Sequence, residues 1–326
     1  MKHLQFYLIA AVATLLTSCN GAGGTNNDGD SSDNSSNDVQ ELELYAPGTR
    51  EVDIDFDIAS ITSYEEYRHA IDHYWDGFDF EADSLVVAYD TMSLVQAFAT
   101  YATVIEPNRA DSLMRALIHR AERSRPVLDL FSHVAETVLH DPNSPLRNDE
   151  YYIPILETLI ESPLLDEYDK VVPAYDLNIA LKNRIGHIAT DFVYTLANGR
   201  TGRLHDIRAD YVILLFSNPG CPMCRGIIDE LTASPLISEL RELGRVEVLN
   251  VYPDTDLNAW RDYLSELPTE WINSYDQGTI LTNEHLYNLS AIPSLYLLDS
   301  TKRVLVKDGT DVAMIENIIA ISEANR

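Results

Sequence analysis

Two cysteines carry the clearest chemistry in this chain. Cys221 and Cys224 stand two residues apart in the run Ser217-Asn218-Pro219-Gly220-Cys221-Pro222-Met223-Cys224-Arg225. The 326 residues hold three cysteines, the third being Cys19 near the start. A secreted disulfide scaffold spreads more cysteines along its length, so a close pair reads as a local redox couple. A CxxC is also half of a tetrahedral metal site. Two thiolates need two further ligands, however, and no second CxxC or histidine pair lies nearby in sequence. His69 and His73, four apart with Asp76 close in angle, have the spacing of a surface metal site. At about 100° per residue they fall away from the apolar residues of their segment, as a solvated polar face does. No metal and no cofactor is assigned.

Composition narrows the partners. Fifty-two Asp+Glu against 23 Lys+Arg give a net charge of −29. Such a surface repels phosphate backbones, which argues against nucleic acid, and offers no basic patch to anionic lipid. Membrane attachment then has to be covalent or inserted. Lys2 and His3 precede an apolar run from Phe6 to Leu16. That run is too short for the roughly 20 residues that span a bilayer, but it suits an export signal. Leu16-Thr17-Ser18-Cys19 has the form of a bacterial lipobox, with the cysteine as the acylated residue. On this reading residues 1–18 are a signal peptide, Cys19 is the lipidation site, and the protein is anchored in the cell envelope. No Asp follows Cys19, as in lipoproteins sorted to the outer membrane, while the periplasmic or surface face is left open. Residues 19–45 form a flexible acidic Asn/Gly/Ser linker with almost nothing to bury.

Two blocks of pattern must position the cysteines. Residues 46–183 read as an all-α helical domain. Ser63-x-x-Glu66 has the form of a capping box. Tyr64, Tyr67, Ile71, Tyr74, Trp75 and Phe78 then recur on one helical face, the signature of a core. Further periodic runs cover 91–105, 109–120, 126–139 and 151–160, which makes five to seven helices. Over residues 184–326 the period changes. Strand-like segments cover 189–196, 211–216, 246–252, 294–298 and 304–307. Helical segments follow Cys224 and cover 257–264 and 312–321. Tyr211–Phe216 and Val246–Tyr252 are nearly continuous apolar runs, fit for strands buried on both faces.

The order strand, CxxC, helix, strand, helix, X-Pro-strand, strand, helix resembles the thioredoxin fold, and its leading β segment resembles the exported TlpA/ResA-type branch. The segments Tyr74-Trp75-Asp76-Gly77-Phe78-Asp79-Phe80 and His140 to Asn148 are similar to those of Bacteroidetes lipoproteins that join a helical domain of unknown function to a thioredoxin-like domain. The resemblance implies an α + α/β fold class, with an N-terminal all-α domain followed by a thioredoxin-like domain whose mixed central sheet is flanked by helices. It implies an envelope thiol–disulfide oxidoreductase, of reductase or isomerase type, acting on exported proteins. Cys221 would open a helix and act as nucleophile, and Cys224, one turn later, would resolve the mixed disulfide. The two would form the Cys221–Cys224 disulfide on oxidation. Arg225 would add charge in support of the thiolate, and Pro222 suits an early helical position. Pro293 matches the cis-proline that faces the CxxC, so Ile292 and Pro293 would bind substrate backbone. The partners implied are exported protein disulfides or thiols and an unidentified electron donor. Two departures stand out. Gly220 occupies the place of a thioredoxin tryptophan, and no buried relay acid can be placed, Asp254 and Asp256 reading as turn carboxylates. The alternative is a non-catalytic, lipid-anchored binding or scaffold protein whose thioredoxin-like domain is structural.

Overall fold

The computed structural model describes residues 52, 54, 56–81 and 90–325. The apolar run Phe6–Leu16, Cys19 and the segment expected to be a linker lie outside the described residues. The chain forms two compact units, residues 1–138 and 139–326.

In the first unit the described helices are α1 (Tyr64–Asp72), α2 (Thr91–Val104), α3 (Ala110–Ala121) and α4 (Arg125–Leu139), the last ending at the unit boundary. The capping box forms: Ser63 Oγ accepts the Glu66 N–H at 3.1 Å, and Glu66 Oε2 accepts the Thr62 N–H at 2.8 Å. The expected apolar stripe is core. Tyr67, Ile71, Tyr74, Trp75 and Phe78 are buried, whereas Tyr64 is exposed and donates its hydroxyl to Glu106. Trp75 lies edge-on to Phe78, Tyr101 and Phe131 at centroid distances of 6.3, 5.6 and 5.2 Å. Leu94, Phe98, Met114, Ile118, Leu128 and Phe131 close this core. Each such side chain contributes about 1.5–3 kcal/mol of burial.

The second unit contains helices α5 (Asp149–Glu161) and α6 (Val171–Ala180) and one seven-stranded mixed sheet of order β2-β1-β5-β4-β3-β6-β7. Its strands are β1 (Val193–Leu196), β2 (Thr201–Arg203), β3 (Tyr211–Phe216), β4 (Val246–Tyr252), β5 (Ile272–Tyr275), β6 (Ser294–Asp299) and β7 (Val304–Gly309). Helices α7 (Pro222–Ala233), α8 (Pro235–Glu242), α9 (Leu257–Tyr263), α10 (Ile280–Asn283) and α11 (Val312–Ala324) complete it. β3 runs parallel to β4 and antiparallel to β6, so it is central and buried at every residue. Ile213 and Leu215 pack on one face with Ile227, Leu231 and Ile315. Val212, Leu214 and Phe216 pack on the other with Phe192, Leu281 and Tyr287. This two-sided burial explains why β3 has no alternation. The Asn198-Gly199 turn joins β1 to β2, with Gly199 at φ +79°.

Helix α6 is apolar on most sides and lacks a clear period, and β5 is short and polar, so neither stands out from pattern. β7 runs two residues beyond the expected 304–307. Lys307 is held there by a buried ion pair, its Nζ 2.6 Å from Asp149 Oδ2 and 2.7 Å from the Ala180 carbonyl. Among the described residues no helix is long and apolar enough to cross a membrane.

Candidate active site

The site grows out of the end of β3. Phe216 leaves the sheet, and Ser217 to Gly220 turn the chain toward α7. Gly220 sits at φ +72°, in the left-handed region that a side chain disfavours. That conformation gives a physical reason for glycine where thioredoxins carry tryptophan. Cys221 is the N-cap of α7, with extended backbone, and Pro222 follows at the first helical position, where its missing N–H costs nothing. Cys221 Sγ accepts the Cys224 N–H at 3.1 Å. The two cysteines form a disulfide, their Cα atoms 5.3 Å apart. Cys224 is wholly buried, Cys221 is partly exposed, and Met223 between them is exposed.

Opposite this turn, the Ile292–Pro293 peptide is cis and leads into β6. The Ile292 carbonyl oxygen lies 3.8 Å from Cys221 Sγ. The structure therefore brings together Cys221, Cys224, Ile292 and Pro293. Arg225 points elsewhere. Its guanidinium donates to the Glu266 carbonyl at 3.2 Å and faces the carboxylates of Asp229 and Glu266 at 3.4 and 3.7 Å.

Beneath the turn, Ser217 Oγ donates to Asn250 Oδ1 at 2.7 Å, and the Tyr263 hydroxyl lies 3.3 Å from Ser217 Oγ. All three residues are buried, and burial pushes the Tyr263 phenol up. Asp254 and Asp256 are exposed; Asp256 caps α9 by accepting the Asn258 and Ala259 N–H groups at 3.0 and 3.1 Å. Neither is a buried relay acid.

A buried acid is held instead by Ser294, the residue after Pro293. Ser294 Oγ donates to Asp308 Oδ1 at 2.6 Å, and Asp308 pairs with Arg147. Burial pushes the Asp308 carboxyl above the ordinary range, against the pull of Arg147 and Ser294. Lys307-Asp308-Gly309 reads as an ordinary strand end, so no local signal marks this residue. In the first unit, the His69 and His73 rings lie 4.3 Å apart, and Asp76 is engaged by His73 and Arg120 at 2.6 and 2.8 Å. His73 and Arg120 hold its carboxyl below the usual range. Among the described residues, no group of three or more His, Cys, Asp or Glu side chains is arranged to hold a metal ion.

Known proteins match both parts of the chain. Residues 28–183 match the domain of unknown function DUF5106, and residues 209–304 match a thioredoxin-like family. The second match spans both cysteines and Pro293. The crystal structure of a thioredoxin-like protein from Bacteroides caccae is 38% identical, covers 82% of this chain and 96% of its own, and superposes with a TM-score of 0.76. The chain belongs to the family that joins a DUF5106 domain to a C-terminal thioredoxin-like domain. The C-terminal domain of an uncharacterized Bacteroides fragilis protein is 40% identical over 42% of this chain and 98% of its own, at a TM-score of 0.41. Bovine nucleoredoxin is 26% identical over 114 residues, 35% of this chain. The chain spans about a quarter of the length of the nucleoredoxins it matches, 26% for the bovine protein. In this DUF5106–thioredoxin-like protein, the DUF5106 match extends past the first compact unit. Its last two helices, α5 and α6, fold in the same unit as the sheet.

Proposed function

We propose that this protein is a thiol–disulfide oxidoreductase, of reductase or isomerase type, acting on exported polypeptides. The observation that carries the reading is the Cys224 N–H directed at Cys221 Sγ from the first turn of α7. A free N–H and the positive end of a helix favour a thiolate at that sulfur. Arg225, shared between two carboxylates, adds little to this.

In the reducing direction, the Cys221 thiolate attacks one sulfur of a substrate disulfide. The substrate S–S bond breaks, its second sulfur leaves as a thiolate, and a mixed disulfide to Cys221 forms. Cys224, deprotonated in turn, attacks Cys221 Sγ and expels the second substrate thiolate. Two electrons pass to the substrate, and the Cys221–Cys224 disulfide remains. A dithiol donor returns Cys221 and Cys224 to the reduced state by the same exchange in reverse and is itself oxidised to a disulfide. The backbone at Ile292 and Pro293, which faces Cys221, is the surface on which substrate main chain lies. Anchorage through Cys19 places this chemistry in the cell envelope.

The test uses the mature full-length chain. The reduced protein is expected to reduce insulin, and the Cys224→Ser variant to hold polypeptide substrates as mixed disulfides through Cys221. Failure of the reduced protein to exchange with any disulfide faster than a free cysteine does would remove the enzymatic reading.

A further inference from the structure

A cleft of about 250 Å³ opens between α6 and the segment that leads to Pro293. Its apolar walls include Tyr175 and Ile179 of α6 and Leu289. Its polar lining includes His140 and Asp176, with Ser290 at an exposed edge. His140 Nε2 lies 3.8 Å from Asp176 Oδ1, and its ring stacks on Tyr152 at 5.1 Å. The Nδ1 atom of His140 is buried with no hydrogen-bond partner, an unusual state for a polar atom.

The two walls are tied together. Lys182 Nζ, just beyond α6, donates to the carbonyls of Glu284 and His285 at 3.1 and 2.6 Å. Asn183 Nδ2 donates to the Leu286 carbonyl at 2.8 Å. The segment so anchored runs on through Leu289 and Ser290 to Ile292, whose carbonyl faces Cys221 Sγ. Ser290 and Ile292 are two residues apart, a span of at most about 7 Å. With the 3.8 Å from that carbonyl to Cys221 Sγ, the Ser290 edge of the cleft lies within about 13 Å of the sulfur that a substrate would reach.

Size and lining define the occupant. Pockets for whole small molecules run to about 300–1,000 Å³, so this cleft suits a single side chain. Apolar and aromatic walls ending in a polar His–Asp pair fit an aromatic ring with a polar tip. Val172, Tyr175, Asp176 and Ile179 follow helical spacing, so one face of α6 leads outward from the cleft. Val172 and Tyr175 on that face are 58% and 51% exposed, apolar surface over which a polypeptide can continue.

We infer that this cleft is a side-chain recognition site for extended polypeptide substrates, and that it takes a tyrosine-like residue two or three positions from the reactive cysteine. The position of that cysteine rests on the redox reading above. The inference gives α6, within the DUF5106 match, a part in substrate selection.

The test uses the oxidised full-length mature protein and fluorescent decapeptides. Serine replaces the reactive cysteine, and tyrosine or glycine is placed in turn at each position from −3 to +3. Tyrosine at one position two or three residues away is expected to tighten binding at least tenfold over glycine. Ser290→Trp, which plugs the cleft from its exposed edge, and Tyr175→Ala, which removes a wall, are expected to abolish that ratio without changing the melting temperature. No tyrosine preference at any position, or an equal preference in both variants, overturns the inference. Exchange of the reduced protein with bis(2-hydroxyethyl) disulfide, too small to use the cleft, separates the two readings. Loss of exchange with the peptide preference intact removes the redox reading and leaves the cleft as a peptide site. Normal exchange with no preference removes the cleft alone.

Discussion

Cys221 Sγ accepts the backbone N–H of Cys224 at 3.1 Å, while Cys224 itself is fully buried and Cys221 is not. One sulfur is thus both partly exposed and electrostatically favoured as a thiolate. In the reduced protein at pH 7, iodoacetamide is expected to label Cys221 alone, about tenfold or more faster than free cysteine. Mass spectrometry of the Cys221→Ser variant should find Cys224 unlabelled on the same timescale. Equal labelling of the two thiols would contradict the assignment of nucleophile and resolving residue.

Gly220 makes the turn into α7 at φ +72°. A Cβ there meets no atom within 4 Å, so the penalty for alanine is conformational and not a clash. Gly220→Ala is expected to lower stability by about 1–2 kcal/mol. Urea unfolding of the oxidised protein measures this. A neutral result would show that the turn relaxes to another conformation.

Lys307 and Asp149 form an ion pair whose side chains are 6% and 8% exposed. Removing one partner leaves a buried charge, which costs about 3–5 kcal/mol. Lys307→Met is therefore expected to destabilise the second unit strongly, and Lys307→Met with Asp149→Leu to recover most of the loss. Thermal unfolding of the four members of this cycle gives the coupling directly.

Asp191 links Arg203, whose Nε donates at 3.0 Å, to the His205 N–H at 3.0 Å. Burial lifts its carboxyl, but these two partners outweigh burial and hold it below the usual range. A carboxyl with a depressed folded-state value stabilises the protein above its unfolded value of about 3.9 and loses that contribution as pH falls through the folded value. Asp191→Asn is expected to cost about 1–3 kcal/mol at pH 7 and to flatten the decline in stability below about pH 4. Parallel unfolding curves for the variant and the parent below pH 4 would rule this out.

Much of this protein is legible residue by residue. The cysteine pair at the end of an apolar run, Pro222 behind Cys221, the Ser63–Glu66 cap and the Ile292-Pro293 dipeptide before a strand are all local signals. The chain's own periodicity carries them, because a helix or a buried strand constrains residues only a few positions apart. Tertiary structure decided the rest. Arg225 stands next to Cys224 in sequence, yet its charge is taken up by Asp229 and Glu266. Gly220 shows its reason only in its backbone angle. Asp308 meets Arg147, and Lys307 meets Asp149, across a long stretch of chain. His140 meets Asp176 beside the segment leading to Pro293 in the same way. Such pairs leave no periodic trace, since which buried charges and ring nitrogens face one another is set by how helices α5 and α6 pack against the sheet. The cysteine pair was therefore written in the order of residues, and the surroundings that face it arose only on folding.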